Sequence, residues 1–103
     1  MLAFELLSAQ EVANALAGRV RALRLRRGWT QVEAAARAGM TLASYKRFER
    51  TGEIAFKSLV KIAIALEQLD QFQALFVQPA YASLDEAIAA TPTRVRAPRS
   101  RPK

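Results

Sequence analysis

The side chains of this sequence that are equipped for chemistry are mostly cations. Lysine and arginine number 16 against 9 aspartates and glutamates, a net charge of +7, and neither histidine nor cysteine occurs. Without histidine the commonest general base and metal ligand are missing. Without cysteine there is no thiolate nucleophile, thiolate metal site or disulfide. The nine carboxylates show no catalytic pairing or metal-binding spacing, and the four glycines stand singly, so no phosphate-cradling loop forms. Ser8, Ser44 and Ser83 have no histidine to activate them. The expectation is a binding protein and not an enzyme, with no cofactor and no metal. The chemistry that its cations suit is contact with a polyanion.

The charge is unevenly spread. Residues 91–103, TPTRVRAPRSRPK, hold Arg94, Arg96, Arg99, Arg101 and Lys103, three prolines and no acid. Residues 1–90 hold 11 basic against 9 acidic groups. With Val95 as its one large apolar residue, the tail cannot bury enough surface to offset its ordering entropy. A disordered basic tail is expected there. No apolar run approaches the ~18 residues that cross a bilayer. The start, MLAFELLSAQE, has Glu5 and no basic segment, unlike a secretion signal. A cytoplasmic location and no membrane contact are expected.

The remaining residues must build the elements that present the cations. Ser8-Ala-Gln-Glu11 matches a capping box, and Val12, Leu16, Val20 and Leu23 follow at helical spacing, with Gly28 as the stop. Thr30 caps a second helix, TQVEAAARA, which Gly39 ends; Thr41 caps a third, LASYKRFER, which ends near Thr51-Gly52. Leu59, Ile62, Ala63 and Leu66 mark one face of a fourth helix. Asp70 is the candidate cap of a fifth, QFQALF, and Ser83-Leu-Asp-Glu86 opens a short piece reaching about Ala90. Residues 2–7, LAFELL, are ambiguous and open to an edge strand. The expectation is an all-α, five-helix domain over 8–77, a short helical extension over 78–90 and the tail over 91–103. Two short helices across Gly39-Met40-Thr41, with the small Ala35 at their crossing, make a helix-turn-helix unit. Thr30-Gln31 puts a polar amide where helix N–H groups attract phosphate.

With Arg24, Gly28, Thr30-Gln31, Ala35, Gly39, Thr41, Glu49 and the Leu59/Ile62-Ala63/Leu66 helix, residues 19–66 resemble the Xre/Cro/lambda-repressor helix-turn-helix family. SAQEVANAL and TLASYKRFER are similar, more narrowly, to HipB-type antitoxins. The resemblance implies a lambda-repressor-like fold whose third helix enters the major groove of an operator, an inverted repeat bound by a homodimer. It further implies a repressor and operon autoregulator, associated with the nucleoid, whose partner is a HipA-like kinase toxin. Two alternatives share the fold: a phage or restriction-type regulator without a toxin, and an interaction module that neutralises a partner enzyme with little DNA role. Binding of RNA or non-specific DNA by the tail alone is a further reading.

By the same resemblance Tyr45, Phe48 and Glu49 face inward, and Arg24 pairs with Glu49 as a structural ion pair. The outward, base-reading arc is Leu42, Ala43, Ser44, Lys46 and Arg47. Arg47 leads it, since its fork matches guanine O6 and N7. Gln31, Thr41 and Arg50 map to the DNA backbone, joined electrostatically by Arg94, Arg96, Arg99 and Arg101. Arg19, Arg21, Arg26 and Arg27 are open to phosphate contact or to plain solvation. Phe72, Leu75, Phe76, Val77 and Tyr81 are the first candidates for a dimer face, residues 2–7 the second. Three positions depart from the family: Ala34 where leucine is usual, Tyr45 where isoleucine or leucine is usual, and Ala55 for a hydroxyl cap. Trp29 is the candidate to fill the space beside Ala34. The Tyr45 hydroxyl needs a partner or a route to solvent.

Overall fold

Hydrogen bonds at the helix ends decide where this chain folds. A computed structural model describes residues 3–78. Four α-helices occur among them: α1 (Ala9–Arg26), α2 (Gln31–Ala38), α3 (Leu42–Thr51) and α4 (Phe56–Ala65). Ser8 and Glu11 form the capping box: the Glu11 N–H donates to Ser8 Oγ (3.1 Å) and the Ser8 N–H to Glu11 Oε1 (2.8 Å). Thr30 and Glu33 repeat it at α2, with 3.1 and 2.8 Å. The Thr30 N–H holds the Glu33 carboxyl below its ordinary pKa. At α3 the Ser44 N–H donates to Thr41 Oγ1 (3.1 Å). Only α4 starts without a side-chain cap, at Ala55.

The stops are as local as the starts. Gly39 takes φ +67°, its N–H donates to the Ala36 carbonyl (3.1 Å) and the Met40 N–H to the Ala35 carbonyl (3.0 Å). This Schellman pair turns the chain from α2 into α3. α4 ends in the same pattern without a glycine. Glu67 adopts φ +59°, with bonds from Glu67 N–H to Ile64 (3.1 Å) and from Gln68 N–H to Ala63 (2.8 Å).

The expected fifth helix at QFQALF does not form, and Phe76 inside that segment takes φ +63°. α4 ends at Ala65, and Leu69–Phe72 make only a 3-10 turn. Asp70 lies inside this turn and does not cap it. Four α-helices therefore replace five among the described residues. The edge-strand option for residues 2–7 also fails. Phe4–Leu6 form a 3-10 turn, and the described residues hold no strand for them to pair with. Arg19 stacks over the Phe4 ring, 4.8 Å from its centroid.

The core sits between α2, α3 and α4, with α1 across the back. α3 packs on α1 and α2, and α2 packs on α4. α2 supplies only methyl groups, from Ala34, Ala35 and Ala38, so its neighbours approach closely. Bulk comes instead from Tyr45 and Phe48 of α3, whose rings meet edge to face at 6.5 Å, and from Ile62 and Leu66 of α4. Trp29, half-buried, packs against this cluster. Among the described residues, 3–73 form one compact unit. The candidate extension and tail beyond Gln78 lie outside the described residues.

Gly52 closes α3 with φ +81°, its N–H on the Phe48 carbonyl (2.7 Å). A Cβ there would stand 2.8 Å from Ala13 Cβ on α1. Conformational strain and a backbone-to-helix clash act together. Gly52→Ala is expected to cost about 2 kcal/mol or more, read as a lowered urea midpoint at unchanged m-value. A loss within a few tenths of a kcal/mol would mean that α1 and α3 are free to part at this point.

Candidate nucleic-acid interface

The turn Gly39-Met40-Thr41 sets α3 across α2, with one face on the core and one in solvent. Tyr45 and Phe48 are buried on the inner face. Glu49 joins them through a pairing with Arg24 of α1. Arg24 Nε donates to Glu49 Oε2 (2.7 Å) and Nη2 to Oε1 (3.1 Å), with side chains only 8% and 4% exposed. Arg24 Nη1 also donates to the Trp29 carbonyl (2.8 Å), and Gln31 Nε2 to Glu49 Oε1 (3.0 Å). One carboxylate thus ties α1, the loop before α2, α2 itself and α3 together.

The charges respond as a bidentate pair should. The hydrogen bond to Glu49 pushes the Arg24 guanidinium up. Burial alone would push the Glu49 carboxyl up, but Arg24, the neighbouring Tyr45 hydroxyl and Gln31 together outweigh it and hold it below its ordinary value. The Tyr45 hydroxyl lies next to both partners yet completes no well-formed hydrogen bond, and burial pushes its phenol pKa up. The expected partner or solvent route for this hydroxyl is absent among the described residues.

On the outer face Ala43, Ser44, Lys46, Arg47 and Arg50 are exposed, and Leu42 is half-buried. Thr41 spends its hydroxyl on the cap, accepting from the Ser44 N–H and donating to Ser44 Oγ (2.9 Å). Gln31 is half-buried, with one N–H given to Glu49 and the other unbonded among the described residues. The only acid on α3 is Glu49, which faces inward and is neutralised. The outer face therefore offers three cations, a hydroxyl and small apolar groups over ten residues, a rod of about 15 Å. Arg94, Arg96, Arg99 and Arg101 lie outside the described residues, as does Tyr81. Phe72 is half-buried, its ring 6.0 Å from that of Phe56, while Leu75, Phe76 and Val77 are exposed.

Two of the arginines left open between phosphate and solvent have structural work. Arg19 covers Phe4, as above. Arg27 Nη2 donates to the Leu66 carbonyl (2.8 Å) and to Glu67 Oε1 (3.1 Å), pinning α1 to the end of α4. Arg27 and Arg37 flank Trp29, at 5.4 and 4.6 Å from the indole centroid. An ion pair between Arg47 and Glu53 was not visible in the sequence either. Its signal, an acid just past the glycine that ends α3, has no helical spacing to announce it.

Two short helices at a glycine turn, the second with a cationic outer face and a locked inner one, define a DNA-binding helix-turn-helix domain. A family model described as a helix-turn-helix domain matches residues 15–71. The match covers more than half of the chain, which belongs to that family. No curated protein and no solved structure matches it. Among the described residues no helix is long and apolar enough to cross a membrane, and no cluster of carboxylates could hold a metal.

Glu49→Ala strands a buried guanidinium and is expected to cost about 3 kcal/mol or more. Replacing both partners by apolar residues should cost less than the sum of the single changes. The folded carboxyl titrates below its unfolded value of 4.5. Its contribution is therefore complete above that pH and is lost as pH falls through the folded value. Urea melts of the two single variants and the double, at neutral pH and under acid, read both effects. Additive losses below a kilocalorie would dissolve the pair as a unit.

Proposed function

We propose that the chain is a sequence-specific DNA-binding repressor, not an enzyme, acting as a homodimer on an inverted-repeat operator in the cytoplasm. The observation that carries this is the outer face of α3, where Lys46, Arg47 and Arg50 stand free of any acid from their own helix. α3 enters the major groove by its N-terminus. Arg47 reads a guanine edge, Lys46 a base or a phosphate, Ser44 a base or phosphate oxygen, and Leu42 and Ala43 pack on thymine methyls. Gln31, Thr41 and Arg50 set register on the sugar-phosphate backbone. One such domain reads half a site, so two-fold symmetry doubles the contacts and places half-sites about 10 base pairs or a multiple apart. Leu75, Phe76 and Val77 are exposed candidates for the contact between copies.

The biological setting we favour is an antitoxin that represses its own operon and neutralises a HipA-like kinase. Its support is the similarity of SAQEVANAL and TLASYKRFER to HipB-type antitoxins.

The test begins with the duplex that the full chain enriches from a randomised pool. Arg47→Ala should weaken binding to that duplex by ~1–3 kcal/mol and flatten the preference at one base pair. Equal weakening across all single-base variants would show that Arg47 meets phosphate and reads no base. The basic tail is assigned an electrostatic share. Truncation after Ala90 should flatten the slope of log K against log salt by roughly 2–4 units per monomer, with the ranking of variants kept. A tail that serves a protein partner would leave that slope where it was.

A further inference from the structure

Glu53 is not placed by chance. The Thr51 hydroxyl donates to the Arg47 carbonyl (2.7 Å) and accepts from the Glu53 N–H (3.1 Å). Gln10 Nε2 of α1 donates to the Thr51 carbonyl (2.7 Å), and Gly52 turns the chain left-handed in between. These bonds fold the end of α3 back so that Glu53 Oε1 meets Arg47 Nη2. The pair stands on the solvent side, with side chains 63% and 58% exposed, along an open depression shared with Ser44 and Ser58.

We propose that Glu53 is a positioning and specificity-determining residue for Arg47, holding one edge of its guanidinium so that the fork left free is aimed at a base. The proposal rests on the DNA-reading role of α3. Arginine has five N–H donors, and Nη2 carries two of them, so it meets Glu53 with one and keeps the other to complete a fork. A guanine edge needs two parallel donors, which the fork supplies while Glu53 keeps its hold. A phosphate makes no such demand. It draws the guanidinium off Glu53 and meets an unpaired carboxylate close by. Glu53 therefore penalises non-specific contact while leaving the guanine contact intact, and so widens the gap between cognate and random DNA.

The experiment uses the full chain at fixed salt with three duplexes: the one enriched from a randomised pool, its variant at the Arg47-dependent base pair, and a scrambled sequence. Glu53→Gln removes the charge and keeps the shape. It should raise affinity for the scrambled duplex by about two- to five-fold, the range of an exposed ion pair, and leave the enriched duplex unchanged or weaker. Discrimination falls by the same factor. In an Arg47→Ala background the substitution should no longer alter discrimination at that base pair. Thermal melting should be unmoved throughout, since the pair is exposed. An equal rise on all three duplexes would reduce Glu53 to a general negative charge and overturn the proposal, as would no change on any. If Arg47→Ala alone leaves base preference intact, the reading by α3 fails first. If it removes that preference while Glu53→Gln acts equally everywhere, only the role of Glu53 fails.

Discussion

A guanidinium taken out of water must be met on every side, and in this chain the requirement organises the fold. Arg24 of α1 is satisfied by two oxygens of Glu49 on α3 and by the Trp29 carbonyl between α1 and α2. Glu49 in turn draws in Gln31 at the first turn of α2. Desolvating both charges is costly, and only this complete set of bonds offsets it. The consequence is geometric. α3 can rotate about its own axis only by breaking the set, so the residues that face outward are decided by the one that faces inward. Because α2 presents little more than methyl groups to the core, side-chain interlocking there offers limited orientation. The polar set supplies what the alanines do not.

What the sequence disclosed tracks how local each interaction is. Ser8 with Glu11, the Thr30 and Thr41 caps and the Gly39 turn are contacts over a few residues, legible from residue type and spacing. The Thr30–Glu33 box is just as local and was open to the same reading. The pairing of Arg24 with Glu49 spans 25 positions and has no periodicity. It was accessible only through likeness to a family, which carries the tertiary contact with it. The expected fifth helix failed for a different reason. Left-handed Glu67 and Phe76 bracket the segment, and neither gives warning of that conformation as a glycine would. The contact of Arg47 with Glu53 runs across a helix end, where neither the i+4 rule nor strand alternation applies.

Reading head and scaffold draw on different parts of the same short helix. Tyr45, Phe48 and Glu49 answer to the core and tolerate little change. Ala43, Ser44, Lys46 and Arg47 touch nothing that the fold needs for its packing. Such a helix is free to change its outer residues without loss of stability. Tyr45 is the exception on the inner side. Its hydroxyl is buried against the ion pair without a well-formed hydrogen bond. The aromatic ring fills volume that the alanines of α2 leave open, and the oxygen comes with it.

The chain has one tryptophan, and its location gives the molecule an optical property. Trp29 sits in the link between α1 and α2, half-buried, with Arg27 and Arg37 on its flanks. Its carbonyl accepts from Arg24, and Arg27 also grips the end of α4. Separation of any of these helices changes the charges and the water around a single indole. The emission of the unlabelled protein is thus a one-site gauge of whether its helix-turn-helix unit is assembled, recorded from a fluorophore that lies outside α3.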